Sequence, residues 1–252
     1  MKTVILLILL VAFPCHGFVS PANPASPAVY GSDLCGDTGA SGTYNFWLSF
    51  DYSGDTDKAC KDSGTSTIDG TASGATIDTW ANHGISGPSG GGTYGVKMDA
   101  NDETVDYTIT AADIINTSEG TLALDIYLAA STGNNTFIQV GSGDDEMSGW
   151  TDVDGKVNIS HQGQTTIVTE NGTDAISDTT WATIRIAWSV TAGEVSVKVG
   201  GNSWTTQAGS VTAFGVAATT LEVGDGGSGK GMADTIYIDN FRISETFEDD
   251  NL

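Results

Sequence analysis

In the run Thr235-Ile-Tyr-Ile-Asp-Asn-Phe-Arg-Ile-Ser244, a two-residue period places Asp239 on the same face as Tyr237, Phe241 and Ile243. An ionised carboxylate turned into such an apolar layer needs a bound cation, an Arg or Lys, or several backbone N–H donors. Aromatic rings offer a second kind of chemistry. Trp80, Trp150 and Trp204 stand in Gly-, Thr- and Asn-rich surroundings, where an indole can meet the C–H face of a sugar while polar neighbours bond its hydroxyls. The competing reading of each is a ring that closes the edge of the core.

Other motifs carry less. Asp144-Asp145-Glu146 and Asp152-Val-Asp154-Gly155 flank Trp150 in a stretch that reads as one long loop. Without EF-hand spacing they read as solvated surface, with a peripheral Ca²⁺ as the alternative. Gly224-Asp-Gly-Gly-Ser-Gly229-Lys230 nearly spells a phosphate loop, but Gly231 stands where a Ser or Thr must reach Mg²⁺. Nucleotide binding is therefore rejected. His83 and His161 each stand without a nucleophile pattern nearby.

The elements that must position these residues are strands. Tyr44 to Phe50, Tyr94 to Met98 and Thr104 to Ile109 come first. Leu122, Leu124, Ile126 and Leu128 then alternate with Ala123, Asp125 and Tyr127. Phe137 to Val140, Lys156 to Ser160 and Thr165 to Thr169 continue the series. Ile184, Ile186, Trp188 and Val190 follow, and Val195, Val197 and Val199 answer them across an Ala192-Gly193 hairpin turn. Trp47, Trp181 and Trp188 sit within strand patterns and are assigned to the core. Helical spacing is nearly absent, so the expected class is all-β, a two-sheet antiparallel sandwich. The expected organisation is a leader over 1–17, a Pro/Gly-rich lead-in over 18–42 that holds Cys35, one sandwich over 43–245 and an acidic tail over 246–252.

The leader has Lys2 at its start, an apolar run from Val4 to Phe13 and Gly17 at the cut, which reads as a secretory signal. No later run is long enough to span a bilayer as a helix. In an oxidising compartment Cys35 and Cys60 read as one disulfide, worth about 3.5 kcal/mol by loop closure. The whole chain carries a formal charge of −23, with 9 basic against 32 acidic residues. So few cations exclude nucleic acid as a partner and disfavour anionic membranes. Abundant Asp is compatible with Ca²⁺ uptake and with plain solubility.

Phe46-Trp-Leu-Ser-Phe-Asp51, Gly95-Val-Lys-Met-Asp with Val105-Asp-Tyr, Gly120-Thr-Leu-Ala-Leu-Asp-Ile-Tyr127, Trp181 before Ile184-Arg-Ile-Ala-Trp188, and Ile238-Asp-Asn-Phe-Arg-Ile-Ser244 occur in one order along 44–244. In that order the chain resembles the laminin-G-like, concanavalin A-like jelly-roll family. The resemblance implies an extracellular sandwich that binds glycans or proteins and often holds a structural Ca²⁺, here matched by Asp51 and Asp239. The glycosidases of this fold use a Glu-x-Asp-x-(x)-Glu run, which the chain lacks, and Glu103 and Asp106 are three apart, on opposite sides of a strand. The expected function is a secreted, non-catalytic module that recognises extracellular glycan through Trp80, Trp150 and Trp204. The alternatives are a structural or adhesive surface protein that binds protein partners, and a glycoside hydrolase or polysaccharide lyase with its site assembled from distant segments.

Overall fold

The computed structural model describes residues 46–48, 59–61, 67–68, 70–89, 92–108, 118–141, 147–161, 165–168, 175–208, 211, 220–225, 230–244 and 246–250. The leader, the lead-in with Cys35, and Asp51 lie outside them. The described strands are β1 (Phe46–Leu48), β2 (Ala59–Lys61), β3 (Thr67–Ile68), β4 (Gly70–Ser73), β5 (Thr76–Thr79), β6 (Tyr94–Met98), β7 (Thr104–Thr108), β8 (Glu119–Leu128) and β9 (Asn135–Val140). They continue with β10 (Met147–Thr151), β11 (Val157–His161), β12 (Thr165–Val168), β13 (Trp181–Ser189), β14 (Glu194–Val199), β15 (Thr205–Ala208), β16 (Thr220–Gly224) and β17 (Ile236–Ser244). Among the described residues one short helix, α1 (Trp80–His83), interrupts them. Thr79 caps its start by accepting from the Asn82 amide, and Gly84 ends it at φ 76°, a conformation that costs a glycine little.

All pairings between these strands are antiparallel, and they form two sheets. The ten-stranded sheet runs β15-β14-β13-β8-β17-β1-β2-β3, with β6 beside the first half of β17 and β5 beyond it. The seven-stranded sheet runs β12-β11-β10-β9-β16-β7-β4. Between them Leu122, Leu124, Ile126, Ile184, Ile186 and Trp188 of the first sheet meet Val105, Tyr107, Ile138, Val140, Leu221 and Val223 of the second in one buried cluster. These inward residues are the alternating positions of their strands, so each strand also owns an outward face. The fold is an antiparallel two-sheet sandwich, as its patterning indicates. Trp188 shows how tightly it is packed: Gly120 opposes it across β8 and β13, and a Cβ at Gly120 would lie 2.7 Å from the ring.

Three expectations are corrected. The stretch around Trp150 is not one long loop, because Met147–Thr151 is β10, central to its sheet. Its Gly149 faces Phe137 and Ile138 so closely that an alternation of large apolar residues could not fit there, and that hides the strand from a pattern search. Trp181 does not fill the core. It opposes Tyr127 on the outer face of the ten-stranded sheet, half-buried, and its Nε1 donates to the Ser86 carbonyl. Asp239 does not share a face with Phe241 and Ile243. Asp239 pairs with Asp125 while Arg242 pairs with Ala123, so Asn240 and Phe241 together oppose Leu124 in a β-bulge, with Asn240 at φ 50°. The extra residue flips the phase of the strand. Phe241 and Ile243 join the core, and Asp239 stays with Tyr237 on the outer side.

Candidate functional site

Two outward faces carry the polar chemistry. On the ten-stranded sheet, Asp239 is 0 % exposed and lies opposite Asp125, which is 7 % exposed. Asp239 Oδ1 accepts from the Asn240 amide at 2.7 Å. Asp125 Oδ1 accepts from Thr183 Oγ1 at 2.6 Å and its Oδ2 from Asn240 Nδ2 at 2.9 Å. One row further, Arg185 and Arg242 both flank Ala123. Burial and the nearby Arg242 lower the Arg185 pKa, while Asp250, Asp125 and Asp249 oppose that fall. Hydrogen-bond donors thus meet both Asp125 oxygens and Asp239 Oδ1, and Asp125 attracts the Arg185 charge at longer range. Among the described residues no three His, Cys, Asp or Glu side chains converge as a metal site. Two carboxylates in register could supply two oxygen ligands for Ca²⁺, so a third must come from elsewhere in the chain.

The structure does not bring Trp80, Trp150 and Trp204 together. Trp80 opens α1 over the outer face of the ten-stranded sheet and is 5 % exposed. Trp181 meets it edge-on at 5.1 Å, and a Cβ on Gly95 would come within 1.7 Å of its ring. Trp80 is thus an enclosed packing residue, in a cluster completed by His83, Tyr127 and Tyr237, and offers no open face to a sugar. Trp204 is half-buried near the β15 edge of that sheet; its Nε1 donates to Asp250 and Lys198 stands 5.7 Å from its ring. Trp150 lies on the opposite side of the molecule, on the outer face of β10, 8 % exposed with Lys230 Nζ 5.3 Å from the ring centroid. The neighbouring Asp152 shapes the turn from β10 to β11 by accepting the Asp154 and Lys156 amides. The Asp144-Asp145-Glu146 cluster and the partner of Cys60 lie outside the described residues; Cys60 itself opposes Trp47 in β2.

The outer face of the seven-stranded sheet carries the arrangement that the sequence did not show. By register one line crosses every strand: Thr71, Asp106, Glu222, Gln139, Ser148, Ser160 and Thr166. Every member is polar, although the residues on either side of them along the strands are largely apolar and face the core. Asp106 and Glu222 are directly opposed, which sets their Cβ atoms about 4.5–5.5 Å apart. Both keep partial solvent access, while Gln139, Ser148 and Ser160 are buried. Asp106 Oδ1, Glu222 Oε2 and Ser148 Oγ are buried atoms without a hydrogen-bond partner, each costing about 1–3 kcal/mol relative to solvation. Burial, then Asp106, then Asp225, push the Glu222 carboxyl up to about 7. Glu103, three positions before Asp106, instead caps the turn before β7 by accepting the Asp99 and Ala100 amides. The legible signal for the pair was a carboxylate on the polar phase of Val105-Asp-Tyr107 and of Leu221-Glu-Val223.

No family model matches the chain, and no curated protein matches it in sequence. Solved structures do match. The receptor-binding domain of botulinum neurotoxin mosaic serotype C/D superposes with a TM-score of 0.58 at 10 % identity, over 82 % of this chain and 48 % of that one. The binding domain of botulinum neurotoxin DC in complex with rat synaptotagmin II gives 0.59 at 12 % identity, over 82 % and 49 %. A Trypanosoma rangeli sialidase in complex with 2,3-difluorosialic acid gives 0.56 at 11 % identity, over 82 % and 31 %. The chain spans about half the length of the toxin domains and under a third of the sialidase. At such identities the likeness shows a shared architecture: this chain has the antiparallel β-sandwich that those proteins contain.

Proposed function

We propose that the protein is a secreted or cell-surface recognition module of the laminin-G-like, concanavalin A-like kind, and that it binds extracellular glycan on the outer face of its seven-stranded sheet. The observation that carries this reading is the polar line across that sheet. Six inter-strand spacings give it a length of about 29 Å, with a polar residue type at each register position. An extended saccharide offers hydroxyls at regular intervals and suits such a line, whereas an apolar partner would cover Asp106 and Glu222 without bonding to them. The exposed Lys230 and the edge of Trp150 flank it. The sialidase bound to a sugar derivative and the toxin domain bound to a protein support recognition as a use of this architecture. A self-associating adhesive role is less favoured, because β15, an edge strand, is the polar run Thr-Thr-Gln-Ala. A structural Ca²⁺ held by Asp51 and Asp239, and a Cys35–Cys60 disulfide, complete the proposal.

A polysaccharide panel in affinity electrophoresis tests it. Replacing Asp106 and Glu222 together by Leu removes the solvent-reaching polar groups while relieving two unpartnered buried atoms, so the fold should hold. The double variant is expected to lose retardation by any glycan that slows the wild type, and Trp204→Ala is expected to keep it. Loss with Trp204→Ala and retention in the double variant would place the site on the other sheet.

A further inference from the structure

The chain has 9 basic residues, and register gathers three of them in one row on the outer face of the ten-stranded sheet. Lys198 opposes Arg185, Arg185 opposes Ala123, and Ala123 opposes Arg242. Two inter-strand spacings set the arginines about 10 Å apart. Like charges directly opposed across strands disfavour folding, so this row calls for anions above it. The segment 246–250, which follows β17, turns back over the face and supplies them. Glu248 Oε1 accepts from Ser196 Oγ at 2.7 Å and from Thr206 Oγ1 at 3.2 Å. Asp249 Oδ2 accepts from Ser244 Oγ at 2.8 Å, and its amide donates to Thr121 Oγ1 at 3.0 Å. Asp250 Oδ1 accepts from Lys198 Nζ at 2.6 Å and from Trp204 Nε1 at 3.0 Å. Three successive carboxylates each meet a donor of the sheet, so an acidic peptide already seated there shows what chemistry the face accepts.

The seat is larger than its occupant, and the occupant is lightly held. Arg242, half-buried at the far end of the row, donates Nε to the Asn240 carbonyl and has no carboxylate partner among the described residues. Asp250 is exposed, so salt screens its pairing with Lys198. Glu248 sits at φ 54°, a left-handed conformation that is costly for a non-glycine residue, and the half-buried Phe247 stays outside the core cluster. Beneath the segment Thr121 and Ser196 are 0 % exposed, so lifting it uncovers hydroxyls, a Lys and an indole rather than apolar surface. We propose that the outer face of β8, β13, β14 and β17 is a binding site for acidic peptides, filled in the resting protein by residues 246–250 as a self-inhibiting strap and extended by Arg242 when a longer acidic segment replaces them. The strap is tethered and competes at an effective concentration on the order of millimolar. An external peptide therefore binds with an affinity reduced by the fraction of molecules whose strap is lifted. This site lies on the other sheet from the glycan line, so each reading can fail without the other.

The probe is a fluorescein-labelled peptide of residues 246–252, Thr-Phe-Glu-Asp-Asp-Asn-Leu, titrated with the full chain at low salt and read by fluorescence anisotropy. Wild type is expected to bind it weakly. Glu248→Gln, Asp249→Asn and Asp250→Asn together release the strap and should tighten binding about 10-fold or more, with unchanged circular dichroism as the check on folding. If that variant unfolds, Asp250→Asn alone, at an exposed position, should give a smaller gain in the same direction. Lys198→Gln added to either variant should remove the binding. The same peptide with two Glu added at each end should bind more tightly still and lose that increment in Arg242→Gln. Equal affinity in wild type and the strap variant overturns the self-occupied site. Equal binding of a control peptide with Gln and Asn in place of Glu and Asp overturns recognition by charge, and affinity indifferent to Lys198→Gln assigns the peptide to another surface. Binding of oligogalacturonate where the peptide fails overturns the peptide as occupant and makes the ligand an acidic saccharide.

Discussion

Neutralising Glu222 permanently should change how stability depends on pH, and the size of the effect follows from its surroundings. Its carboxyl is raised from 4.5 to about 7, first by burial and then by the charges of Asp106 and Asp225. A raised folded-state value means that the folded protein holds a proton the unfolded chain has released. The contribution is therefore fully present below 4.5, the unfolded value, and is lost as pH rises through about 7. At 1.36 kcal/mol per pH unit the ceiling is about 3.4 kcal/mol. Because the side chain retains solvent access, screening reduces this to about 1.5–2 kcal/mol. Urea unfolding of the wild type and of Glu222→Gln at pH 5, 6, 7 and 8 isolates the term, since every other titration is common to both. The wild type should lose about 1.5–2 kcal/mol relative to the variant between pH 5 and 8, equivalent to roughly 3–8 °C in melting temperature for a domain of this size. Asp106→Asn should shift that loss to lower pH by removing one of the charges that raise Glu222. Parallel stability curves for wild type and Glu222→Gln would refute the buried, like-charged setting and with it the reasoning about the line.

Gly95→Ala should cost several kcal/mol and loosen the Trp80–Trp181 pair, because a Cβ there would fall 1.7 Å from the indole; near-ultraviolet circular dichroism and urea unfolding read it. Trp188→Ala should cost about 3–5 kcal/mol by leaving a cavity between the sheets, measured by urea unfolding. Chelator should lower the melting temperature and Ca²⁺ restore it if Asp51 and Asp239 hold the ion, since a ligand of the folded state alone must stabilise it; a melting temperature indifferent to chelator removes that site. The hydrogen bond from Lys198 holds Asp250 below 3.8, and that from Asn82 does the same for Asp78. Both favour the folded state above 3.8, so they oppose acid unfolding at low pH and stay silent in the window where Glu222 acts.

The fold was largely legible because its long strands obey a two-residue period. Leu122 to Leu128 and Ile184 to Trp188 alternate cleanly, and the hairpin at Ala192-Gly193 is as the turn residues indicate, with Gly193 at φ 67°. The site was not legible for two physical reasons. A β-bulge is one residue of local backbone, set by the packing of Phe241 against the core, and nothing in Ile238-Asp-Asn-Phe241 announces it. Consequently, the phase of Asp239 was misassigned. A cross-strand pair depends on which strands become neighbours, and β16 pairs with β7 through the assembled sheet rather than through a short turn. A search for acid pairs confined to one strand finds Glu103 and Asp106 and misses Glu222. Trp80 was misread because its polar neighbourhood, Thr79 and Asn82, caps a helix turn and does not line a groove.

The two outward faces differ in how their carboxylates are met, and the difference bears on the proposed binding face. With 9 basic residues for 32 acidic ones, cations are scarce, so their placement is informative. On the ten-stranded sheet Arg185 and Arg242 stand one row from Asp125 and Asp239, Asn240 is bent into a left-handed turn to donate to both, and Lys198 pairs with Asp250 beside Trp204. Asp125 is met at both oxygens by Thr183 and Asn240, Asp239 at Oδ1 by the Asn240 amide, and Asp250 by Lys198. On the seven-stranded sheet the line from Thr71 to Ser160 contains two adjacent acids and no Lys or Arg, and burial raises Glu222 instead of a partner lowering it. Folding alone would favour apolar residues at those two positions, because unpartnered buried oxygens oppose it. Perturbed carboxyls of this kind tend to mark sites that meet a ligand, and that is the reason for placing the proposed binding line on that face.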